Sequence, residues 1–456
     1  MANLATRRIF SSFLKHEIRS QCSFSSNSFT PQICIVGGGP AGFYTASQIL
    51  KHHKQAHVDI YEKLPAPYGL VRYGVAPDHP EVKNVIHAFE TTANNNRCAF
   101  LGNVNVGKDI SMQELQKNYH AVVLAYGAET DKIIDIPGED AQNVLSARAF
   151  VGWYNGLPEN FDLNPDLSSE TAVIVGMGNV ALDVARILLS PISLLEKTDI
   201  SEHALEILRN SKVKNVYIVG RRGPLQVAFT IKELREMIDM PDCETVIDEE
   251  YVKNLPNKYE ANPLNNRKTH KLSQMAIMST DSCEHCFNSI PFLLQEDSSE
   301  NPRYIQTGKF ENIECGLVIR SIGSVSSNID ATLPFDENKG IIPSKDHRVG
   351  GYPGLYCSGW VGSGPVGVIL NTMSNSFRTG DIVIEDLDKG ILGSDQRGGK
   401  EEIARVIGRK GVRPVLFEEW IRVDQEEVKR GEKSGKPREK MIKTREMLNF
   451  AWHKHS

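Results

Sequence analysis

Cysteine is scarce in this sequence. The eight present among 456 residues, at Cys22, Cys34, Cys98, Cys243, Cys283, Cys286, Cys315 and Cys357, are too scattered for a disulfide framework, which points to a reducing interior compartment. Excess charge of either sign is missing too, since 52 basic and 57 acidic residues leave a formal net charge of −5. That excludes a global basic field for nucleic acid, so an acidic partner has to meet a local patch. No run approaches the roughly 18 consecutive apolar residues of a membrane-spanning helix. What is present is ordinary globular usage, 40% hydrophobic and 24% charged, which excludes a wholly disordered or fibrous chain. At about 150 residues per domain, the length suggests two or three domains.

Residues 1–30 have a composition of their own. Arg7, Arg8, Lys15 and Arg19 face a single acid, Glu17, with seven serines interleaved. Phe10, Phe13, Leu14 and Ile18 recur at helical spacing, giving one apolar face with basic flanks, and no long apolar core follows. This pattern predicts a mitochondrial transit peptide over 1–30 rather than a secretory signal. Those residues are set aside from the fold.

Structure is expected from Pro31. Ile33-Cys34-Ile35-Val36 reads as a buried parallel strand, Gly37-Gly38-Gly39-Pro40-Ala41-Gly42 follows it, and Phe43–Lys54 reads as a helix. Gly37 serves the tight turn, Gly39 lets the backbone approach a pyrophosphate, and Gly42 lets helix and strand pack closely. The helix N-terminus offers that pyrophosphate its unpaired N–H groups. A second strand, Val58–Tyr61, ends at Glu62, where an acid hydrogen-bonds an adenosine ribose. The pattern recurs at Ala172–Val175 and Gly176-Met177-Gly178-Asn179-Val180-Ala181, with alanine for the third glycine. Here the next strand, Asn215–Val219, ends in Gly220-Arg221-Arg222 instead of an acid. Guanidinium groups at that point suit a 2′-phosphate. The first site therefore reads as built for a ribose bearing its hydroxyls and the second for NADP, unless Arg221 and Arg222 are a solvated surface pair. A flavin facing a nicotinamide accepts a hydride and releases electrons singly, leaving the protein to position the two.

Four strings go further than a fingerprint. They are Pro67-Tyr68-Gly69-Leu70-Val71-Arg72-Tyr73-Gly74-Val75-Ala76-Pro77-Asp78-His79-Pro80, Gly178–Ala185, Gly220–Leu225, and Gly359-Trp360 with Gly367-Val368-Ile369. Together they resemble the mitochondrial ferredoxin–NADP reductases of the adrenodoxin reductase family, within the glutathione-reductase-like superfamily. The likeness runs from about Pro31 to Val246 and from about Thr307 to the C-terminus. It implies an α/β fold of two Rossmann-like dinucleotide-binding domains, the NADP domain (136–342) inserted into a discontinuous FAD domain (31–135 and 343–456). It implies FAD at Ala41, Glu62, Leu70 and Val106, with Trp360 and Gly367, Val368 and Ile369 closing over the flavin. NADPH would lie near Met177 to Val180, Arg221, Arg222 and Glu233, passing close to Gly367. The resemblance also offers His79 and Asp183 as helpers of transfer, with a loop hydrogen-bonder and a helix salt-bridge partner as equal alternatives. It implies single-electron delivery to a small acidic [2Fe–2S] ferredoxin, feeding P450 steroid hydroxylation and iron–sulfur and haem synthesis. The location implied is the mitochondrial matrix, with peripheral contact to the inner membrane as a variant.

The sequence departs from the family between about 248 and 306, where it is polar, serine-rich and shorter by a few tens of residues. Loss of a hairpin-plus-strand unit there would expose sheet edge. Val361-Gly362-Ser363-Gly364-Pro365-Val366 stands where relatives carry a basic pair and a threonine, and Gly323-Ser324-Val325 where they carry a tyrosine and lysine. Cys283-Glu284-His285-Cys286 has no second CxxC to complete a zinc site, and no metal is expected. Lys232, Arg235, Arg267, Lys268 and Lys271 form the expected basic docking face. The C-terminal run from Glu401 reads as helix on the FAD domain, with Lys433–Lys440 exposed. Two other functions are weighed: a nucleotide-binding variant crippled in its NADP domain, and a reductase like the glutamate synthase small subunit, whose N-terminal cysteine-rich domain has no counterpart here.

Overall fold

The computed structural model describes residues 29–220, 227–246, 312–367 and 369–453, and the backbone of 286–289, 292–295, 303–306 and 311. Four parallel strands begin it: β1 (Gln32–Val36), β2 (His57–Tyr61), β3 (Cys98–Gly102) and β4 (Ala121–Leu124). The chain then leaves this sheet and builds a second one from β5 (Val144–Ser146), β6 (Thr171–Val175), β7 (Asn215–Val219) and β8 (Leu317–Arg320), all parallel in the order β5-β8-β6-β7. It returns to the first sheet with β9 (Ser344–Lys345), β10 (Arg348–Val349), β11 (Leu355–Cys357) and β12 (Val415–Leu416). Strand β11 lies parallel to β4 and β12 antiparallel to β3, so the full order is β9-β10-β11-β4-β1-β2-β3-β12. One nucleotide fold is thus inserted into the other. The two crossings touch, because Thr130–Asp131 pairs antiparallel with Ser324–Val325.

Parallel strands need both faces covered, and the run Ile33–Val36 is apolar on both. Ile33 and Ile35 join Phe43, Ile49, Phe89 and Phe100 on one side. Cys34 and Val36 meet Leu115, Ile403 and Ile407 on the other. A separate core around Phe150, Trp153, Ala181, Ala185 and Ile319 holds the second sheet. Helix α1 spans Pro40–His52, starting earlier than the expected Phe43 because proline at the first helical position has its φ already set and lacks only an N–H that has no partner there. Helices α2 (Asn179–Leu189) and α3 (Ile231–Ile238) belong to the inserted fold, and α4 (Ile369–Asp388) and α5 (Phe417–Lys433) to the first.

Within the divergent run, the strand 286–289 pairs antiparallel with 311–314, and 292–295 with 303–306. The C-terminal expectation needs correcting. In the stretch Lys433–Lys440, Lys436 and Lys440 are buried at 4% and 3% exposure. Lys436 pairs with Glu439, and Lys440 Nζ lies 2.9 Å from Asp199, which also takes two bonds from Lys83. Periodicity could not reveal this, because the carboxylate comes from the inserted fold. Burial pulls the Lys440 ammonium down to about 7 against the attraction of Asp199.

Candidate active site

The two glycine loops are built alike. Gly37 at φ +114 and Gly176 at φ +130 adopt backbone that side chains rarely take, and each presses on the carbonyl following a neighbouring strand. A Cβ would lie 2.5 Å from Ala125 O at the first and 2.1 Å from Ser321 O at the second. Gly42 packs α1 on the loop, a Cβ there coming within 2.1 Å of Gly37 O. The middle glycines differ in kind. A Cβ on Gly39 meets nothing nearer than 3.9 Å, and one on Gly178 meets nothing within 4 Å. Packing inside the protein does not require glycine at either place, whereas close approach of a pyrophosphate does. These two are also the N-caps of α1 and α2, without a side-chain cap, while the helices starting at Met112, Ala147, Glu202 and Ile231 have Ser or Thr caps. A helix start without a side-chain cap leaves its first N–H groups for an anion, here from Ala41 onward in α1, since Pro40 has none. The chain fits a dinucleotide at each loop.

Glu62 sits under the first loop. Its Oε2 accepts Gly38 N–H at 2.7 Å and its Oε1 accepts Leu64 N–H at 3.0 Å. Burial pushes the carboxyl up to about 7, against the pull of those two amides. A single cleft of about 2650 Å³ then runs from one loop to the other. That exceeds the several hundred to about 1,000 Å³ of an ordinary single-ligand pocket and suits two dinucleotides. Its wall includes Gly37, Gly39, Ala41, Glu62, Leu70, Val106, Trp360, Gly367 and Ile369 from the first fold. From the second come Gly176, Met177, Gly178, Asn179, Val180, Asp183, Lys232 and Glu233. Trp360 Nε1 is buried with no hydrogen-bond partner among the described residues, an orphaned donor facing a site meant for a cofactor. Asn179 is also structural, since its Oδ1 accepts Thr230 N–H at 2.7 Å and ties α2 to α3.

His79 and Asp183 come together from different folds, through a residue that sequence reasoning missed. Arg186, 4% exposed in its side chain, donates to Asp183 at 2.6 Å, Asp78 at 2.8 Å and Glu233 at 3.0 Å. Its Nη2 also lies 3.1 Å from His79 Nε2, and Glu236 Oε2 lies 2.9 Å from that same nitrogen. Both alternatives for the pair are therefore realised: His79 hydrogen-bonds from a loop and Asp183 is a salt-bridge partner on its helix. Burial pushes the Asp183 carboxyl up to about 6, against the pull of Arg186. Ligand atoms of His79, Asp183 and Glu233 lie within 4.8 Å of one another, but the guanidinium already bonds to all three. The spacings Asp183-x-x-Arg186 and Glu233-x-x-Glu236, each one turn of helix, were the legible signal. On the expected docking face, Lys232 is engaged by Glu81 at 2.9 Å and Glu236 at 3.3 Å, whereas Arg235 is exposed. Arg221, Arg222, Val368, Arg267, Lys268, Lys271, the first three residues of the CxxC string and most of the transit segment lie outside the described residues.

Two dinucleotide folds opening on one cleft define an oxidoreductase that sets a flavin against a pyridine nucleotide. The family model for pyridine nucleotide-disulphide oxidoreductases matches residues 31–238. Mitochondrial NADPH:adrenodoxin oxidoreductase of Bos taurus is 52% identical over 461 aligned positions, covering 94% of each chain. The Arabidopsis thaliana relative of the same name is 41% identical, over 94% of this chain and 97% of its own. Among solved structures, Mycobacterium tuberculosis FprA in complex with NADPH superposes at a TM-score of 0.86 with 36% identity, over 93% of this chain and all of that one. The chain belongs to the mitochondrial NADPH:adrenodoxin oxidoreductase family, and it is an FAD-dependent oxidoreductase that uses NADPH. The crippled-variant and glutamate-synthase-like readings give way to this one. The alignment with the cattle protein is longer than the 456 residues of this chain, so the relative carries residues without a counterpart here.

Proposed function

We propose that this chain takes reducing equivalents from NADPH and delivers them singly to an adrenodoxin-type [2Fe–2S] ferredoxin in the mitochondrial matrix. The observation that carries this is the single cleft joining both loops in a chain 52% identical to a relative named for that reaction. FAD, when bound, supplies the hydride acceptance and single-electron release that side chains lack. In this reading the N–H groups following Gly39 hold its pyrophosphate, Glu62 its adenosine ribose, and Leu70, Val106, Trp360 and Gly367 to Ile369 its surroundings. The loop at Gly176 to Val180 holds the NADPH pyrophosphate, and Arg221 and Arg222 hold its 2′-phosphate. NADPH gives up a hydride while a one-electron acceptor takes electrons alone, so the reaction sheds one proton overall. In this reading His79 on the cleft wall, its Nε2 between Glu236 and Arg186, passes that proton on, with Asp183 nearby. The units divide near residues 135 and 342, and residues 1–30 serve import. Among the described residues no helix is long and apolar enough to cross a membrane, and peripheral contact with the inner membrane is the variant consistent with that.

The test is a comparison of acceptors. NADPH should bleach the flavin, and ferredoxin reduction should slow steeply with salt while reduction of small artificial acceptors hardly changes. Docking of an acidic partner needs unscreened charge, and the Debye length falls from about 10 Å at 0.1 M to about 3 Å at 1 M. Equal salt slopes would count against a basic docking face built on Arg235 and its neighbours.

Glu62 gives a separate handle. In the cofactor-free protein its carboxyl titrates near 7 instead of the ordinary 4.5, so that fold loses stability as pH rises through this window. Ribose hydroxyls donate best to the carboxylate, so binding FAD expels a proton. FAD affinity for the apoprotein should therefore rise between about pH 5 and 7, by up to about tenfold per unit. Glu62→Gln should flatten that rise in a fluorescence titration. An equally steep rise in the variant would assign the proton elsewhere.

A further inference from the structure

We propose that Arg186 is a positioning residue: it locks the pyrophosphate helix α2 to the Asp78–His79 loop of the flavin domain and so sets how the inserted domain meets the flavin site. It rests on the reading that NADPH meets the flavin in this cleft, and bleaching of the parent protein by NADPH tests that reading separately.

The guanidinium has two limbs in each domain. Asp183 at 2.6 Å and Glu233 at 3.0 Å belong to its own fold, whereas Asp78 at 2.8 Å and His79 at 3.1 Å belong to the other. Arg186 lies seven residues beyond Asn179, two turns and on the order of 10 Å from the end of α2 that faces the pyrophosphate. A shift at this lock is therefore transmitted rigidly to the phosphate loop. Other ionic contacts join the folds. Lys63–Glu159, Arg148–Asp131 and Lys232–Glu81 have residues on the cleft wall, and Lys83 and Lys440 on Asp199 and Lys436 on Glu202 lie away from it. None of these has a partner on α2. Four carboxylates, from Asp78, Asp183, Glu233 and Glu236, crowd this point against two cations, Arg186 and Lys232. Only a planar fork of five donors satisfies so many acceptors at once. The lock also bears on His79. Its Nε2 can accept from Arg186 or donate to Glu236, but not both at once, so the fit of the domains and the placement of the imidazole proton are coupled.

The experiment uses the FAD-loaded full chain with Arg186→Gln, Arg186→Lys and Asp78→Asn. Flavin bleaching at saturating NADPH should slow about a hundredfold in Arg186→Gln, the scale of an ångström of misplacement. The NADPH concentration for half-maximal rate should change little, because the phosphate contacts are elsewhere. Lysine restores the charge but not the fork, and its rate should fall between the two. Asp78→Asn removes the charge from one of the two limbs across the domains and leaves both limbs within the inserted fold intact, and should also slow bleaching. Amide exchange over residues 75–82, read in the cofactor-free protein, should quicken in all three. Arg186→Gln that holds FAD and bleaches within about twofold of the parent overturns the proposal. Should Arg186→Gln fail to fold, Asp78→Asn decides: parental bleaching and parental exchange in that variant overturn it as surely.

Discussion

Replacing Arg221 and Arg222 together with alanine will lower kcat/KM for NADPH by about a hundred- to ten-thousandfold and leave that for NADH nearly unchanged. Each charge-assisted phosphate contact contributes about 1.5–3 kcal/mol, and about 1.4 kcal/mol is tenfold. The pair itself lies outside the described residues, but the strand before it is placed. Strand β7 ends at Val219 beside β6, and Gly220 is part of the cleft wall, so close to Met177 that a Cβ would fall 2.2 Å from its Sδ. Gly220 thus stands on the cleft wall at the point where a nucleotide fold meets the adenosine ribose. Positioning of the nicotinamide depends on other contacts, so turnover at saturating coenzyme should fall much less than kcat/KM. Steady-state kinetics with both coenzymes at one ionic strength decides it. An unchanged NADPH-to-NADH ratio would put both guanidinium groups in solvent.

The second large effect is on stability. Arg72, in the Gly69-Leu70-Val71-Arg72 string, bonds Glu427 of α5 at 2.6 and 2.8 Å, with side-chain exposures of 3% and 0%. Glu427 also accepts Met441 N–H at 2.9 Å, and the guanidinium lies 4.8 Å over the Trp420 ring. Arg72→Met leaves the buried Glu427 carboxylate with only the more distant Arg438, at 3.5 Å, as countercharge, a change that costs up to about 3–5 kcal/mol. Urea unfolding followed by tryptophan emission should show that loss, together with weaker FAD retention, because the short helix Leu70–Tyr73 that holds Arg72 also brings Leu70 to the cleft wall. Adding Glu427→Gln should recover much of it, since no orphan charge remains. A double variant as unstable as Arg72→Met alone would place the loss in the cation–π and packing contacts instead.

The sequence was most legible where geometry is local. Strand, glycine turn, helix and acid are fixed within some thirty residues, so Gly37 to Glu62 could be placed without a structure, and Gly176 to Val180 likewise. The insertion was readable because residues expected at the flavin site, Trp360 and Gly367, return after the second fingerprint. What stayed hidden depends on partners far apart in the chain. Arg186 looks like one more helical arginine until α3 and the Asp78–His79 loop are brought against it. Lys436 and Lys440 look like solvent-exposed cations until the inserted fold supplies Glu202 and Asp199. Charge pairing over hundreds of residues leaves no periodicity to read.

The return of the chain to its first sheet also bears on how the protein is made. Strand β4 is complete at Leu124, yet its outer neighbour β11 begins only at Leu355. At about 5–20 residues per second the ribosome takes on the order of ten seconds or more to span that interval. Throughout it the outer edge of Ala121–Leu124, whose inner side pairs with β1, has no strand beside it, while the inserted domain can fold as a unit of its own. An unpaired edge is where chains join one another. The newborn flavin domain is therefore a half-sheet that a chaperone, or the unfolded state kept for import, must shield until the last quarter of the chain arrives.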